Sequence, residues 1–334
     1  MNTNQLKRFA QEARTKLLQQ VGAKMNFVLS QDTSELRGRA DTLQKLNEEI
    51  HRHGKEAVID KVGYTWFNRL VALRFMDVNG YQPIGLSVVS PATSDHVSPQ
   101  ILTEAHSGNI PGELKVNKTQ LFDILDGRQP SNNPDNEVYR MLLVAACNHL
   151  SHLFPFLFER IEDYTELLLP DDLTSPFSIV TDIVNGMAEE DCREVEIIGW
   201  LYQFYISEKN EELIQSKKTY KKDELAPASQ LFTPKWIVRY MVDNTLGQFW
   251  SECYPQTRIL TELEFYIKPA YIDKLKKREV NIEDVKFFDP CAGSGHILSY
   301  AFDVFYRIYE ELGDEPNRIP EGIITKNLWG ADRD

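Results

Sequence analysis

The sequence predicts a mostly α-helical N-terminal region followed by the first β-α-β unit of a Rossmann-like α/β fold. Apolar residues recur at helical spacing in the first part of the chain, where Val62, Trp66 and Leu70 share one stripe. Further on, a short apolar strand at residues 285–289 is followed by a helical pattern and by a second strand that ends at Asp332. This strand–helix–strand order is the opening of a parallel sheet.

The chain divides into two predicted domains. Its 334 residues are enough for about two domains. Residues 207–229 are strongly charged and nearly free of aromatic residues, as expected for an exposed helix end and a linker. We therefore expect a helical domain over residues 1–225 and the beginning of an α/β domain over residues 226–334.

Helical patterns in the first domain are interrupted by one irregular stretch. The helix around Trp66 should end at Asn79 and Gly80, because both residues tolerate the left-handed conformation of a C-terminal cap. Residues 81–135 are rich in Pro, Gly, Ser and Asn and predict only short elements. Helical patterns then return at residues 136–153, 174–187 and 192–213.

Composition argues against a membrane protein and a disulfide-rich protein. The chain has no apolar run of about 18 residues that could span a membrane, and its N-terminus lacks the apolar core of a signal peptide. The four cysteines are scattered and form no CxxC pair. This pattern indicates a cytoplasmic protein with free thiols.

One segment carries the clearest chemical signal. Residues 285–296, VKFFDPCAGSGH, place Asp289 at the end of an apolar strand and two glycines in the loop that follows. Without side chains, Gly293 and Gly295 let the backbone approach a ligand closely, and open α/β sheets bind ligands at this end of a strand. We predict that this loop, Pro290 included, binds a ligand and that Asp289 accepts hydrogen bonds from a cationic amine.

Two further segments support a ligand site. The string QLFTP at residues 230–234 opens a predicted helix over residues 235–246, with Thr233 as the N-cap and Pro in the first turn. The string NLWGADRD at residues 327–334 places Asp332 at the end of the second strand. An acidic residue in that position commonly accepts hydrogen bonds from ribose hydroxyls.

Together these strings resemble the motifs of the amino-methyltransferases, which modify adenine or cytosine in DNA. DPCAGSG is similar to their motif I, FTP to motif X, and Asp332 falls where motif II carries its acid; motif X ahead of motif I is the order of the gamma class. The resemblance implies the fold of the S-adenosylmethionine-dependent methyltransferases. It implies that this cofactor is bound by Phe232, Thr233, Asp289, Pro290, Gly293, Gly295 and Asp332. The first two would contact its amino-acid end.

The motif that would hold the target base is missing. Amino-methyltransferases bind the flipped-out base with Asp, Asn or Ser followed by Pro-Pro and an aromatic residue. The nearest string, Asn133-Pro134-Asp135, lacks the second Pro and the aromatic residue. We therefore expect no catalytic residue in this chain and a base-binding motif beyond Asp334. The chain would then be the N-terminal portion of a longer protein, and this portion alone would methylate nothing.

Longer strings narrow the resemblance to one family. IGWLYQFYI at residues 198–206, QLFTPKWIVRYMVDNTLG at residues 230–247 and GYTWFNRLVALRFMDVNGY at residues 63–81 resemble PglX, the adenine-specific methyltransferases of BREX phage-exclusion systems. The resemblance implies methylation of adenine N6 at a short site in double-stranded DNA, which marks host DNA as self. It also implies partners among the other BREX proteins.

Two other interpretations stay open. A modification subunit or fused enzyme of a restriction system carries the same motifs, and a non-catalytic scaffold or DNA-binding module could retain the cofactor pocket. The net charge of −13 is unusual for a protein that binds DNA, because DNA is itself densely negative. We expect the part of the longer protein that grips DNA to lie outside this chain.

Three other features of the sequence have a plainer explanation than a functional site. Cys147, His149 and His152 lie close together but lack a second ligand pair for a metal. Residues 113–115, ELK, match a restriction-nuclease fragment without its strand and upstream acid. Two basic runs could contact phosphate but resemble solvated surface: Lys217, Lys218, Lys221 and Lys222, then Lys274, Lys276, Lys277 and Arg278.

Overall fold

A computed structural model of the chain describes residues 2–31, 33–93, 97–155, 158, 164–216, 219, 232–271 and 278–332. The chain forms two compact units, Met1–Glu208 and Lys209–Asp334. The predicted domain boundary between residues 225 and 226 lies outside the described residues. Within the described ranges, no helix combines the length and the apolar character needed to cross a bilayer.

The regular structure described before the linker is helical. Its helices are α1 (Thr3–Ser30), α2 (Ser34–Arg37), α3 (Ala40–His53), α4 (Lys55–Asn79), α5 (Gln100–His106), α6 (Lys118–Leu125), α7 (Pro134–Leu150), α8 (Tyr164–Leu167), α9 (Ile179–Gly186), α10 (Glu189–Cys192) and α11 (Glu196–Ser216). The stretch predicted to be irregular holds only short helices before α7, as expected.

Helix α4 forms the centre of the first unit. The predicted stripe is confirmed as core, because Val62, Trp66 and Leu70 are completely buried. The indole Nε1 of Trp66 donates a hydrogen bond to the carbonyl of Thr165 over 2.9 Å. Helix α4 ends where predicted, at Gly80 with a φ of 68°.

The later helices depart from their predicted bounds by a few residues. Helix α9 is the clearest case: it begins at Ile179 rather than at residue 174, because the hydroxyl of Ser178 accepts a hydrogen bond from the backbone of Thr181. A serine N-cap fixes the first turn at that point.

The second unit contains the predicted β-α-β unit. Its elements are α12 (Lys235–Val242), a π-helical turn (Asp243–Gly247), α13 (Gln248–Cys253), two 3-10 turns (Ile259–Thr261 and Ile282–Asp284), β1 (Phe287–Asp289), α14 (His296–Leu312), α15 (Ile319–Gly322), a second π-helical turn (Ile323–Asn327) and β2 (Leu328–Gly330). Both strands are shorter than predicted, and β2 ends two residues before Asp332.

The two strands are parallel, with α14 as the crossover between them. Phe287 pairs with Leu328 and Asp289 pairs with Gly330. A Cβ atom at Gly330 would lie 2.9 Å from Cδ1 of Leu298, so the strand and the helix pack closely there. One face of the strand pair is therefore covered by α14.

The opposite face of the strand pair is open. Phe288 and Trp329 are directly paired in the register, and 60% and 54% of their surfaces are exposed. Parallel sheets usually carry helices on both faces. The strand pair therefore has one face that packs against α14 and one face that is exposed.

Asn327, at the entrance to β2, fixes the strands and the helix together. Its side chain is completely buried. The amide nitrogen donates to the carbonyls of Ile282 and Val285, both over 2.8 Å, and the amide oxygen accepts from the hydroxyl of Tyr309 over 2.9 Å. The chain that enters β1, the chain that enters β2 and helix α14 therefore meet at one side chain.

We predict that Asn327→Ala lowers the free energy of unfolding of the second unit by about 3 kcal/mol, because buried carbonyls and a hydroxyl lose their partner. Chemical denaturation measures this loss. Thr325→Ala is the matched control, since the Thr325 hydroxyl only bonds the carbonyl of Glu321 on the exposed side, and its cost should stay within about 0.5 kcal/mol. Equal losses in the two variants would contradict the role of Asn327.

Candidate functional site

The glycine loop (residues 289–295) begins with a buried carboxylate. Asp289 is only 6% exposed. Its Oδ1 accepts a hydrogen bond from the backbone nitrogen of Cys291 over 3.0 Å, and the thiol of Cys291 is exposed. Its Oδ2 is buried and has no hydrogen-bond partner within the described part of the chain. A buried carboxylate oxygen is costly to leave unsatisfied, so Asp289 can receive a donor from a ligand.

Two glycines give the loop its shape. Gly293 and Gly295 have φ values of 51° and 76°, which other residues adopt only at a cost. Gly295 is the N-cap of α14, and its backbone nitrogen donates to the carbonyl of Ala292 over 2.7 Å. No described atom lies within 4 Å of a Cβ built on either glycine. Conformation rather than crowding therefore requires glycine here, and open space borders the loop.

Asp332 lies directly against the glycine loop. Its Oδ2 accepts a hydrogen bond from the backbone nitrogen of Gly293 over 2.6 Å. The chain between β2 and Asp332 is fixed by two backbone bonds, from Ala331 to the carbonyl of Asp289 and from Ala292 to the carbonyl of Ala331. The two predicted acidic ligands thus share one end of the strand pair.

The FTP segment (residues 232–234) contacts the first turn of α14. The ring of Phe232 stacks on the ring of His296, with centroids 4.8 Å apart and planes inclined by 26°. The prediction that Thr233 is the N-cap of the helix is wrong. Pro234 is the N-cap, and its carbonyl accepts from the backbone nitrogens of the first turn, so the hydroxyl of Thr233 makes no capping bond.

Below this contact, α12 and α14 are joined by a buried polar cluster. Asp243, in the π-helical turn, is completely buried, and its carboxylate accepts from the hydroxyl of Tyr300 over 2.9 Å and from the backbone nitrogen of Phe265 over 3.0 Å. Burial raises the pKa of Tyr300, and the bond to Asp243 raises it further. The guanidinium of Arg239 lies 5.7 Å from the Tyr300 ring centroid.

The structure thus places most of the predicted ligands at one location. Phe232 stacks on His296 in the first turn of α14. Asp289 and Asp332 bond the backbone of the glycine loop, which directly precedes this turn. Thr233 is next to Phe232 in the chain, but among the described residues no hydrogen bond joins its side chain to the loop. Cofactor binding by these residues stays a prediction. His296 was missed in the sequence, although an aromatic ring directly after the last loop glycine is the signal that could have identified it.

The two basic runs lie mostly outside the described residues, and Asn133 has a structural role. Seven basic residues lie outside the described ranges: Lys217, Lys218, Lys221, Lys222, Lys274, Lys276 and Lys277. Arg278 is described, and its backbone nitrogen donates to the carbonyl of Cys253. Asn133, from the string nearest to a base-binding motif, caps α7 by accepting from the backbone of Asn136.

We predict that Gly295→Ala destabilises the second unit by about 1–2 kcal/mol, because alanine resists the left-handed conformation. Gly322→Ala is the control with the opposite expectation: Gly322 has a helical φ of −58°, so alanine there should leave stability unchanged or raise it by up to about 1 kcal/mol. Thermal unfolding of both variants tests the pair. A stable Gly295→Ala variant would show that the loop does not need its positive φ.

Comparison with known proteins shows which proteins the chain is similar to. No protein-family model matches it. The chain is 36% identical over 371 residues to the adenine-specific methyltransferase BrxX of Escherichia coli O9:H4 (strain HS), and 31% identical over 383 residues to the adenine-specific methyltransferase PglX of Lacticaseibacillus casei (strain Zhang). Both matches cover the whole chain but only 30% and 31% of the relatives. The chain is therefore similar to the BrxX and PglX adenine-specific methyltransferases and spans about 30% of their length.

Proposed function

We propose that this chain is the cofactor-binding part of a site-specific DNA adenine-N6 methyltransferase of a BREX system. The observation that carries the proposal is the buried carboxylate of Asp289, with an open oxygen, at the head of a positive-φ glycine loop. This loop lies in a chain that is 36% identical to an adenine-specific methyltransferase. The strand pair and α14 are then the beginning of a Rossmann-like methyltransferase domain over residues 226–334, preceded by a helical domain over residues 1–225.

The residues at the glycine loop fit S-adenosylmethionine. Asp289 has an unsatisfied buried oxygen for the ammonium group of the cofactor. Asp332, which now bonds the backbone of Gly293, is placed to exchange that bond for the ribose hydroxyls. Phe232 and Thr233, in the FTP segment, would contact the amino-acid end of the cofactor.

The backbone of the glycine loop would allow the cofactor to approach closely. Pro290 and Gly293 are exposed, and Gly295 begins α14, a helix of 17 residues. The first backbone N–H groups of a helix have no partners inside the helix, and such groups commonly donate to oxygen atoms of ligands. In this proposal Pro290, Gly293 and Gly295 shape the floor of the cofactor site.

The protein contributes positioning rather than covalent chemistry. When bound, S-adenosylmethionine supplies a methyl group that its sulfonium makes electrophilic. Asp289 would hold the ammonium group of the cofactor and Asp332 its ribose hydroxyls, and holding reactants in one orientation lowers barriers strongly. The residues that hold the extruded base lie, in this proposal, beyond Asp334 in a longer protein.

Double-stranded DNA and the other BREX proteins are the proposed partners. A methyltransferase of this kind acts where the chromosome lies, which places it in the cytoplasm. The net charge of −13 supports a division of labour in which this chain binds cofactor and other parts of the longer protein neutralise phosphate.

Cofactor binding is tested on the chain itself. We expect S-adenosylmethionine to bind at a single site by isothermal titration calorimetry, and Asp289→Ala to weaken binding at least tenfold, because a charge-assisted bond is worth about 1.5–3 kcal/mol. Asp314→Ala removes an exposed carboxylate at the far end of α14 and should leave affinity unchanged. If neither variant differed from wild type, the ligand assignment of Asp289 would be wrong.

The reaction is tested on the full-length protein. We expect purified protein, incubated with DNA and S-adenosylmethionine, to produce N6-methyladenine, detected by mass spectrometry after digestion to nucleosides. Asp289→Ala should abolish the product, while the chain of residues 1–334 alone should give none. Methylated cytosine instead of adenine would refute the adenine specificity. No methylated base, even with neighbouring gene products added, would refute the catalytic proposal in favour of a scaffold.

A further inference from the structure

We propose that His296 is a positioning residue for the cofactor site, whose ring holds Phe232 and thereby the FTP segment over the glycine loop. This inference rests on the proposed function and adds a residue that the motifs do not contain. The juxtaposition that carries it is the stack of Phe232 on His296, between residues that are far apart in the chain.

His296 is a rigid platform. It is the first residue of α14 and follows Gly295, whose left-handed conformation aims the chain into the helix. Farther along the same helix, Ala301, Val304 and Phe305 are completely buried in the core of the second unit. The helix therefore cannot shift easily, and a ring at its first position has a fixed location.

Phe232, in contrast, lies outside regular structure. Residues 232–234 belong to no helix or strand, and regular structure begins only at Lys235. A residue outside regular structure is held by its side-chain contacts. Both rings are half-buried, and an offset aromatic stack adds attraction beyond the burial of its surface. The stack on the ring of His296 is thus a contact that can hold Phe232 beside the glycine loop.

The packing of α12 on α14 does not depend on this stack. One helical turn after His296, Tyr300 donates to Asp243 and lies under the guanidinium of Arg239. Val238 and Val242 of α12 are buried in the same core. Removing the ring of His296 should therefore release the FTP segment and leave the helix pair assembled, which separates a positioning role from a structural one.

The test compares three variants of the whole chain by titration with S-adenosylmethionine. His296→Ala should weaken binding about three- to tenfold, the range of one aromatic pair. His296→Phe keeps a ring that can stack and should bind within about twofold of wild type. Tyr306→Ala removes another ring of α14, one that faces Phe302, and should lower stability without changing affinity. Wild-type affinity in His296→Ala, or a loss in His296→Phe as large as in His296→Ala, would overturn the inference.

A double-mutant cycle adds a readout that general destabilisation would not produce. If His296 acts by holding Phe232, then Phe232→Ala combined with His296→Ala should weaken binding no more than Phe232→Ala alone. Additive losses would overturn the inference. In the full-length enzyme, His296→Ala should raise the KM for S-adenosylmethionine and leave kcat unchanged, since His296 touches no reacting atom.

The outcomes also separate this inference from the proposed function. A wild-type chain that does not bind S-adenosylmethionine would remove the proposed function, and the role of His296 with it. Wild-type binding that is lost in Asp289→Ala but unchanged in His296→Ala would leave the proposed function in place and overturn the inference about His296 alone.

Discussion

The second unit depends on one buried amide. Asn327 binds two carbonyls before β1 and the hydroxyl of Tyr309 on α14, so it sets where β2 starts relative to both. The parallel register follows from that start, and the register places Asp289 opposite Gly330. A shift of β2 by one residue would turn its side chains to the other face and carry Asp332 away from the glycine loop. The geometry of the candidate site is thus a consequence of a hydrogen-bond network outside it.

Conformational and electrostatic costs collect at the glycine loop. Two residues have positive φ, and one carboxylate oxygen is buried without a partner in the described chain. The buried carboxylate of Asp243, by contrast, accepts hydrogen bonds from Tyr300 and from the backbone of Phe265. Proteins concentrate such costs where a ligand compensates for them. The contrast between these two buried carboxylates therefore supports a ligand at the loop, independently of the sequence motifs.

The parts that could be predicted are those set by neighbouring residues. The strand–loop–helix order around Asp289 and the cap at Gly80 follow from local pattern and glycine chemistry, and both were found. The π-helical turn at Asp243 depends on bonds to Tyr300 and to the backbone of Phe265, which are distant in sequence. The Phe232–His296 stack was hidden for the same reason. The cap at Thr233 failed because Pro234 took that position itself. Long-range contacts decided the misses at Asp243 and at the Phe232–His296 stack, whereas the miss at Thr233 was local.

The exposed thiol of Cys291 makes the glycine loop accessible to chemical labelling. Cys147, Cys192 and Cys253 are buried, and burial raises their pKa values, to about 12 for Cys147 and about 11 for Cys192. Protonated, enclosed thiols react slowly with electrophiles. A maleimide dye at neutral pH should thus label this chain once, two residues from Asp289. The loop can be given a fluorescent reporter without introducing or removing a cysteine.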